Sequence, residues 1–147
     1  KNPWGMTTDG TNLYVADREN HRVQIFSPDG KYETQWGNLS RAAAIHVASI
    51  QGRELVYVGE YFCGIGSNDI GTDLGPRISI FDTSGKLLGR AGRESYGSEP
   101  GRFYSPHGIA VDANGDIYVA EVSFTIRGSH MDPPRELRSF SKYERVW

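Results

Sequence analysis

The stretch SPHGIAVDANGDIYVAE, from Ser105 to Glu121, predicts a β-hairpin that organises the rest of the chain. Two strand-sized apolar runs, Ile109–Val111 and Ile117–Ala120, flank a turn that contains Asn-Gly. This combination is a strong short-range hairpin signal. Because antiparallel strands place the entrance of the first and the exit of the second at one end, His107 and Glu121 are expected to share a rim.

The hairpin recurs, with three similar tetrapeptides as landmarks: Tyr14-Val15-Ala16-Asp17, Tyr57-Val58-Gly59-Glu60 and Tyr118-Val119-Ala120-Glu121. A second unit follows each landmark, an alternating strand with a Gly turn in the first two copies and a diverged segment in the third: Arg22–Lys31, Arg77–Lys86 and Arg138–Tyr143. A fourth strand follows in the first two copies: Tyr32–Trp36 and Leu87–Ala91. Four short strands in each repeat predict the blades of a β-propeller.

We therefore expect an all-β fold with about three four-stranded blades, over about 1–40, 41–100 and 101–147. Three blades are fewer than the four to eight that close a propeller, and we expect the chain to form half of a six-bladed ring. Either the N-terminal blades are missing, or a second copy closes the ring as a homodimer. The first residue, Lys1, lies partway into a repeat, which favours a fragment.

Composition excludes several classes of function. The formal net charge of −2 provides no electrostatic basis for binding nucleic acid or an anionic membrane. The sequence has no long apolar run, so no transmembrane span is expected. A single cysteine, Cys63, rules out a disulfide within the chain and says little about the compartment.

Candidate site residues lie where the strands enter and leave the blades, because these points converge on one face around the channel. The residues expected around this opening are Trp4, Asp17, Glu60, His107 and Glu121, with Arg18, His21, Tyr61 and His130 in adjoining loops. A metal held there by imidazoles would polarise a hydroxyl or activate water, with Tyr61 or Arg18 handling charge. Alternatively, the three acids only satisfy backbone N–H groups in the connections.

Two segments of the second repeat have alternative interpretations. His46 precedes Tyr57 by as many residues as His107 precedes Tyr118, which makes it an equivalent rim residue. If the intervening turn is longer than its counterpart, His46 falls inside the strand instead. The long insertion after Glu60 carries three oxygen-bearing side chains that suit calcium, although their spacing does not fit an EF-hand: Asn68, Asp69 and Asp73. The alternative for this glycine-rich insertion is a flexible rim loop.

The repeated pattern resembles the NHL repeat, nearly throughout Pro3–Gly37 and in the first half of the repeat over Pro106–Glu121. More narrowly, Pro106–Asp112 and Val15–Asn20 resemble segments of peptidyl-α-hydroxyglycine α-amidating lyases and their six-bladed bacterial relatives. In those lyases, histidines that enter the inner strands bind a zinc ion in the central channel. This resemblance implies zinc ligands at His107 and His46, while Trp4 stands where the first repeat would offer another.

The resemblance thus implies a zinc-dependent lyase or related hydrolase, with a small-molecule or peptide ligand at the rim and a secreted or periplasmic location. The alternative is a non-catalytic propeller scaffold that binds a protein or a small ligand. Propellers carry both kinds of function, so the fold alone does not choose between them.

Overall fold

The computed structural model describes residues 3–62, 74–92 and 97–146. Its strands are β1 (Gly5–Thr8), β2 (Leu13–Asp17), β3 (Arg22–Phe26), β4 (Tyr32–Trp36), β5 (Arg41–Ile50), β6 (Arg53–Tyr61), β7 (Arg77–Asp82), β8 (Leu87–Ala91), β9 (Pro106–Val111), β10 (Ile117–Glu121) and β11 (Phe140–Tyr143). The helical elements are short: 3₁₀ turns at Arg18–Asn20 and Gly128–His130, and α1 at Ser123–Ile126. No helix in the described ranges is long and apolar enough to cross a membrane.

The strands form three antiparallel sheets, so the prediction of an all-β fold is confirmed. The first sheet has the order β1-β2-β3-β4 and the second has the order β5-β6-β7-β8. The third has the order β9-β10-β11, three strands in the part of the chain that the structure describes. The third sheet differs because α1, a 3₁₀ turn and irregular chain separate β10 from β11, and no further strand follows β11 in that part.

The first strands of the three sheets are neighbours, since β1 packs beside β5 and β5 packs beside β9. This arrangement places the entrances of all three sheets close together. The spaces between sheets are filled by apolar side chains from alternate strand positions. One cluster joins the first and second sheets through Tyr14, Val23, Ile45 and Val56, among others. Another joins the second and third sheets through Ile78, Phe103 and Val119.

Trp36, at the end of β4, packs between the first sheet and the second. Its ring centroid lies 5.5 Å from that of Tyr14 and 5.2 Å from that of Phe81, with the Phe81 ring stacked at 30°. The side chain approaches the turn after β7 so closely that a Cβ atom built on Gly85 would lie 2.3 Å from Trp36 Nε1. Gly85 also has a positive φ of 89°, which L-residues adopt with strain.

Replacing Gly85 with alanine is therefore expected to destabilise the protein for two reasons, backbone strain and a clash with Trp36. Gly10 is a matched control, because its φ is 87° and nothing lies within 4 Å of a Cβ built there. We expect Gly10→Ala to cost about 1–2 kcal/mol from strain, and Gly85→Ala to cost about 1–3 kcal/mol more from overpacking. Urea unfolding measures both changes in the free energy of unfolding. Equal losses of stability in the two variants would show that the Trp36 side chain moves aside at no energetic cost.

Candidate functional site

His107 occupies an irregular position at the entrance of β9. Pro106 pairs with Glu121 and Gly108 pairs with Ala120, so the ladder skips His107. A residue that is left out of the pairing in this way forms a bulge, which re-aims its side chain. The His107 imidazole therefore does not follow the regular alternation of side chains in β9, and it lies at the end of the sheet where β9 begins.

The equivalent residue in the second sheet is Ala43, because the pairing of β5 with β6 skips it between Ala42 and Ala44. His46 pairs with Tyr57 well inside β5. Of the two positions that the sequence left open, the structure places His46 inside the strand. The strand begins at Arg41, earlier than the equal-spacing argument assumes, and the extra length displaces His46 from the entrance.

Three aromatic rings meet at the strand entrances and exits. Trp4, which precedes β1, lies edge-on to His107 with ring centroids 5.1 Å apart and planes at 87°. Tyr61, at the exit of β6, lies edge-on to the same imidazole at 5.9 Å and 78°. His107 is thus held between an indole and a phenol, in contacts of the kind that aromatic pairs prefer.

Two guanidinium groups complete this arrangement. The guanidinium of Arg18 lies 3.8 Å from the Trp4 ring centroid and 5.5 Å from that of Tyr61. The guanidinium of Arg41 lies 5.0 Å from the Tyr61 ring centroid. Such positions allow cation–π attraction, which strengthens where water is excluded.

A single carboxylate links the two arginines. Glu19 Oε1 accepts a hydrogen bond from Arg18 Nε at 2.7 Å and another from Arg41 Nη2. We call the six residues the rim cluster: Trp4, Arg18, Glu19, Arg41, Tyr61 and His107. It brings together four residues that the sequence nominated, namely Trp4, Arg18, Tyr61 and His107, with two that it did not.

The described residues of the rim cluster carry a net positive charge. Burial lowers the pKa of His107, and the nearby charges of Arg18 and Arg41 lower it further. Burial raises the pKa of Glu19, but the hydrogen bonds from Arg41 and Arg18 outweigh burial and hold that pKa below its usual value. At neutral pH the imidazole is therefore uncharged, and two guanidinium groups face one carboxylate.

We expect His107 to titrate below the ordinary histidine pKa of 6.5. The unfolded chain then binds this proton at a higher pH than the folded protein does, so His107 lowers stability as the pH falls below about 6.5. The loss is complete below the folded pKa. Imidazole NMR resonances followed against pH measure this value, and Arg18→Gln should raise it. A His107 pKa at or above 6.5 would contradict this electrostatic description.

The exit acids of the three hairpins are buried, with Asp17 at 4%, Glu60 at 0% and Glu121 at 7% exposure. Asp17 accepts hydrogen bonds from Arg22 Nε and Asn20 Nδ2. Glu60 accepts them from Ser40 N, Arg77 Nε and Ser79 Oγ. Glu121 accepts them from the backbone N–H groups of Tyr104 and Ser105. For Glu60 and Glu121 this geometry matches the alternative in which the acids satisfy backbone N–H groups. Ligand binding by the three acids stays a prediction.

Two other nominated groups lie elsewhere. His130 is exposed in the 3₁₀ turn Gly128–His130, where it lines a cleft of about 440 Å³ with Arg127 and Arg135 among others. None of the described aromatic or ionic contacts of the rim cluster involves His130. The calcium candidates Asn68, Asp69 and Asp73 lie outside the described residues.

The rim fits a zinc ion poorly. A catalytic zinc site needs about three protein ligands and an open position. No group of three His, Cys, Asp or Glu side chains that could hold a metal occurs among the described residues. The imidazole of His107 has guanidinium groups rather than carboxylates as its charged neighbours, and these repel a divalent cation. We derive no chemical step through a metal, and the zinc and calcium assignments stay predictions.

Sequence reasoning missed Arg41 and Glu19. The segment Arg41-Ala42-Ala43-Ala44 has no alternating pattern that would predict a strand, whereas β5 begins at Arg41. One signal was available: Arg41 precedes an apolar run, as His107 does. Glu19 gave no signal, because an acid in a polar surface turn is ordinary.

Comparison with known proteins bears on the repeats themselves. A family model described as the NHL repeat matches residues 1–26 and 103–125. These two segments match the NHL repeat. The first match includes β1, β2 and β3, and the second includes the β9–β10 hairpin. The prediction of NHL repeats is therefore confirmed, and the three antiparallel sheets are consistent with NHL propeller blades.

A curated relative extends the similarity beyond the two matched segments. Protein brain tumor from Drosophila melanogaster is 28% identical over 123 residues, which cover 81% of this chain and 10% of that protein. The chain thus spans about a tenth of the length of this relative. The similarity supports NHL repeats, and it does not extend to an amidating lyase.

Proposed function

We propose that this NHL-repeat propeller is a non-catalytic binding module whose rim cluster binds a protein partner. Trp, Tyr and Arg are the residue types that contribute most to binding energy at protein interfaces. The rim cluster contains all three types in direct contact with each other. The observation that carries the proposal is Trp4, a large aromatic ring that is 48% exposed although Arg18 and His107 hold it in place.

The space beside Trp4 supports a peptide side chain as the group bound. A cleft of about 290 Å³ lies there, lined by Pro3, Trp4, Gly5, Met6 and Val15. Small-molecule pockets are about 300–1,000 Å³ and carry convergent polar groups. This cleft is at the lower limit of that range, and its lining side chains are apolar. It fits one apolar side chain of a partner, next to the charged part of the rim cluster.

Selection from a phage-displayed peptide library on the immobilised chain tests the proposal. We expect the selected peptides to bind Trp4→Ala at least about tenfold more weakly, the loss typical of an interface hot spot. Tyr32→Ala is the matched control, because Tyr32 is also 48% exposed but begins β4, where it pairs with Phe26 at the end of the first sheet opposite to Trp4. Selected peptides that bind both variants as tightly as the unmodified chain would overturn the proposal.

A second candidate function is the metal-dependent amidating lyase. The observation that favours it is the position of His107 at a strand entrance, in contact with Tyr61 and near Arg18. Elemental analysis of the purified protein provides the test. Stoichiometric zinc that is lost in His107→Ala would favour the lyase, and its absence from the folded protein would count against it.

A homodimer that closes a six-bladed ring also remains a proposal. Each blade of a propeller buries its faces against neighbouring blades. Large apolar side chains are exposed on the first and third sheets, with Met6 at 70% and Phe140 at 62%. Sedimentation equilibrium distinguishes a monomer from a dimer, and a monomer would contradict closure by a second copy.

A further inference from the structure

The carboxylate of Glu19 stands where two arginines converge. Its Oε1 atom accepts hydrogen bonds from Arg18 Nε and Arg41 Nη2. Glu19 belongs to the three-residue turn Arg18–Asn20 between β2 and β3, and its side chain is 17% exposed. The Arg41 side chain beneath it is only 5% exposed. A half-buried residue thus supplies the counter-charge of a buried cation.

The Glu19 carboxylate does not accept hydrogen bonds from all the N–H groups of Arg41. A guanidinium group has five N–H donors, and the Nε and Nη1 atoms of Arg41 are buried without a hydrogen-bond acceptor among the described residues. Within the described ranges, two guanidinium groups face one carboxylate, which leaves one positive charge in excess. The neighbouring Trp4 and Tyr61 rings offer π-faces but no negative charge.

We propose that the Arg18–Arg41 pair receives a carboxylate of the bound partner, and that Glu19 occupies this place in the free protein. The inference rests on the proposed function and specifies the partner as one with an acidic group. A carboxylate fits because guanidinium groups bind it through parallel, charge-assisted hydrogen bonds. Each of the two arginines already donates one charge-assisted hydrogen bond to a carboxylate, and both bonds go to the same oxygen, Glu19 Oε1.

Access requires Glu19 to move, because the unsatisfied nitrogen atoms of Arg41 lie below the surface. The turn that carries Glu19 is short and lies outside the strand ladders. Rotation of the Glu19 side chain away from Arg41 therefore breaks no strand pairing, and it leaves Arg18, on the same turn, in place. The partner's carboxylate then replaces that of Glu19 and adds acceptors for the remaining N–H groups of Arg41.

Removing the internal carboxylate by Glu19→Ala tests the inference, with sodium acetate as the probe. We expect acetate to raise the Tm of Glu19→Ala above its value in sodium chloride of equal ionic strength. We also expect NMR titration of His107 and the arginine Nε–H groups to give a Kd for acetate at least about tenfold lower in Glu19→Ala than in the unmodified chain. Acetate effects equal to those of chloride would overturn the inference.

Two control variants separate this site from general effects of anions. Glu99→Ala removes the carboxylate that lies 3.6 Å from Arg102, where Glu99 is 65% exposed, and should show no acetate effect. Adding Arg18→Gln to Glu19→Ala should abolish the acetate effect, since one of the two cations is then lost. An acetate effect that persists in this double variant, or that appears in Glu99→Ala, would overturn the inference.

Further probes identify the source of the acidic group. N-acetyl-aspartate α-amide presents only a side-chain carboxylate, whereas N-acetyl-alanine presents only a terminal one. Tighter binding of either by Glu19→Ala supports the inference and identifies its source, while binding of inorganic phosphate alone would overturn it. Peptide selection that depends on Trp4 without any carboxylate effect would remove this inference and leave the proposed function standing.

Discussion

Replacing Glu60 with alanine is expected to destabilise the protein by about 3–5 kcal/mol, because it leaves the largely buried Arg77 cation and two further donors without their acceptor. The side chain of Glu60 is fully buried, with Oε2 accepting from Ser40 N at 2.6 Å and from Arg77 Nε at 3.0 Å. Its Oε1 accepts from Ser79 Oγ, which is also buried. One substitution therefore strips three donors of their acceptor.

Urea unfolding measures this loss, and two further variants interpret it. Glu33→Ala is the matched control, because Glu33 is exposed on the outer strand β4 and its removal should change stability by less than about 0.5 kcal/mol. Glu60→Gln keeps an acceptor but removes the charge, so its loss should lie between those of the two alanine variants. A Glu60→Ala protein within about 1 kcal/mol of the unmodified chain would show that the network is dispensable.

Replacing Trp36 with alanine is expected to cost about 3–5 kcal/mol, the usual loss for a large aromatic side chain in a core. Trp36 is 7% exposed and contacts Tyr14 of the first sheet and Phe81 of the second. The cavity left by its removal lies between two sheets, which cannot close on it without disturbing their own strand pairing. The contacts that hold the sheets together should therefore weaken first.

The comparison with Trp4→Ala makes this prediction sharp. Trp4 is 48% exposed, so its removal should change the free energy of unfolding by less than about 1 kcal/mol while it weakens peptide binding. Trp36→Ala should have the reverse profile under conditions where it remains folded. Equal losses of stability in the two variants would mean that Trp4 is part of the core rather than of a binding surface.

Local rules account for most of what could be predicted about the fold. Hairpin turns, alternating strands and recurring Tyr-Val landmarks depend on residues close together in the chain, so they are visible in the sequence. The same logic placed Trp4, Arg18, Tyr61 and His107 at one rim, since each lies at an entrance or an exit. For His46 it left two positions open, because a strand that begins earlier changes the position of every residue counted from its far end.

The sequence by itself therefore determined the repeats, the antiparallel hairpins and the end of the sheets at which a site would form. Only the tertiary structure decided which side chains meet there, because the contacts of Arg41 with Glu19 and Tyr61 join residues about twenty positions apart. It also decided that the exit acids are buried among donors. Such contacts depend on bulges, strand lengths and the packing of one sheet against the next, which no local pattern encodes.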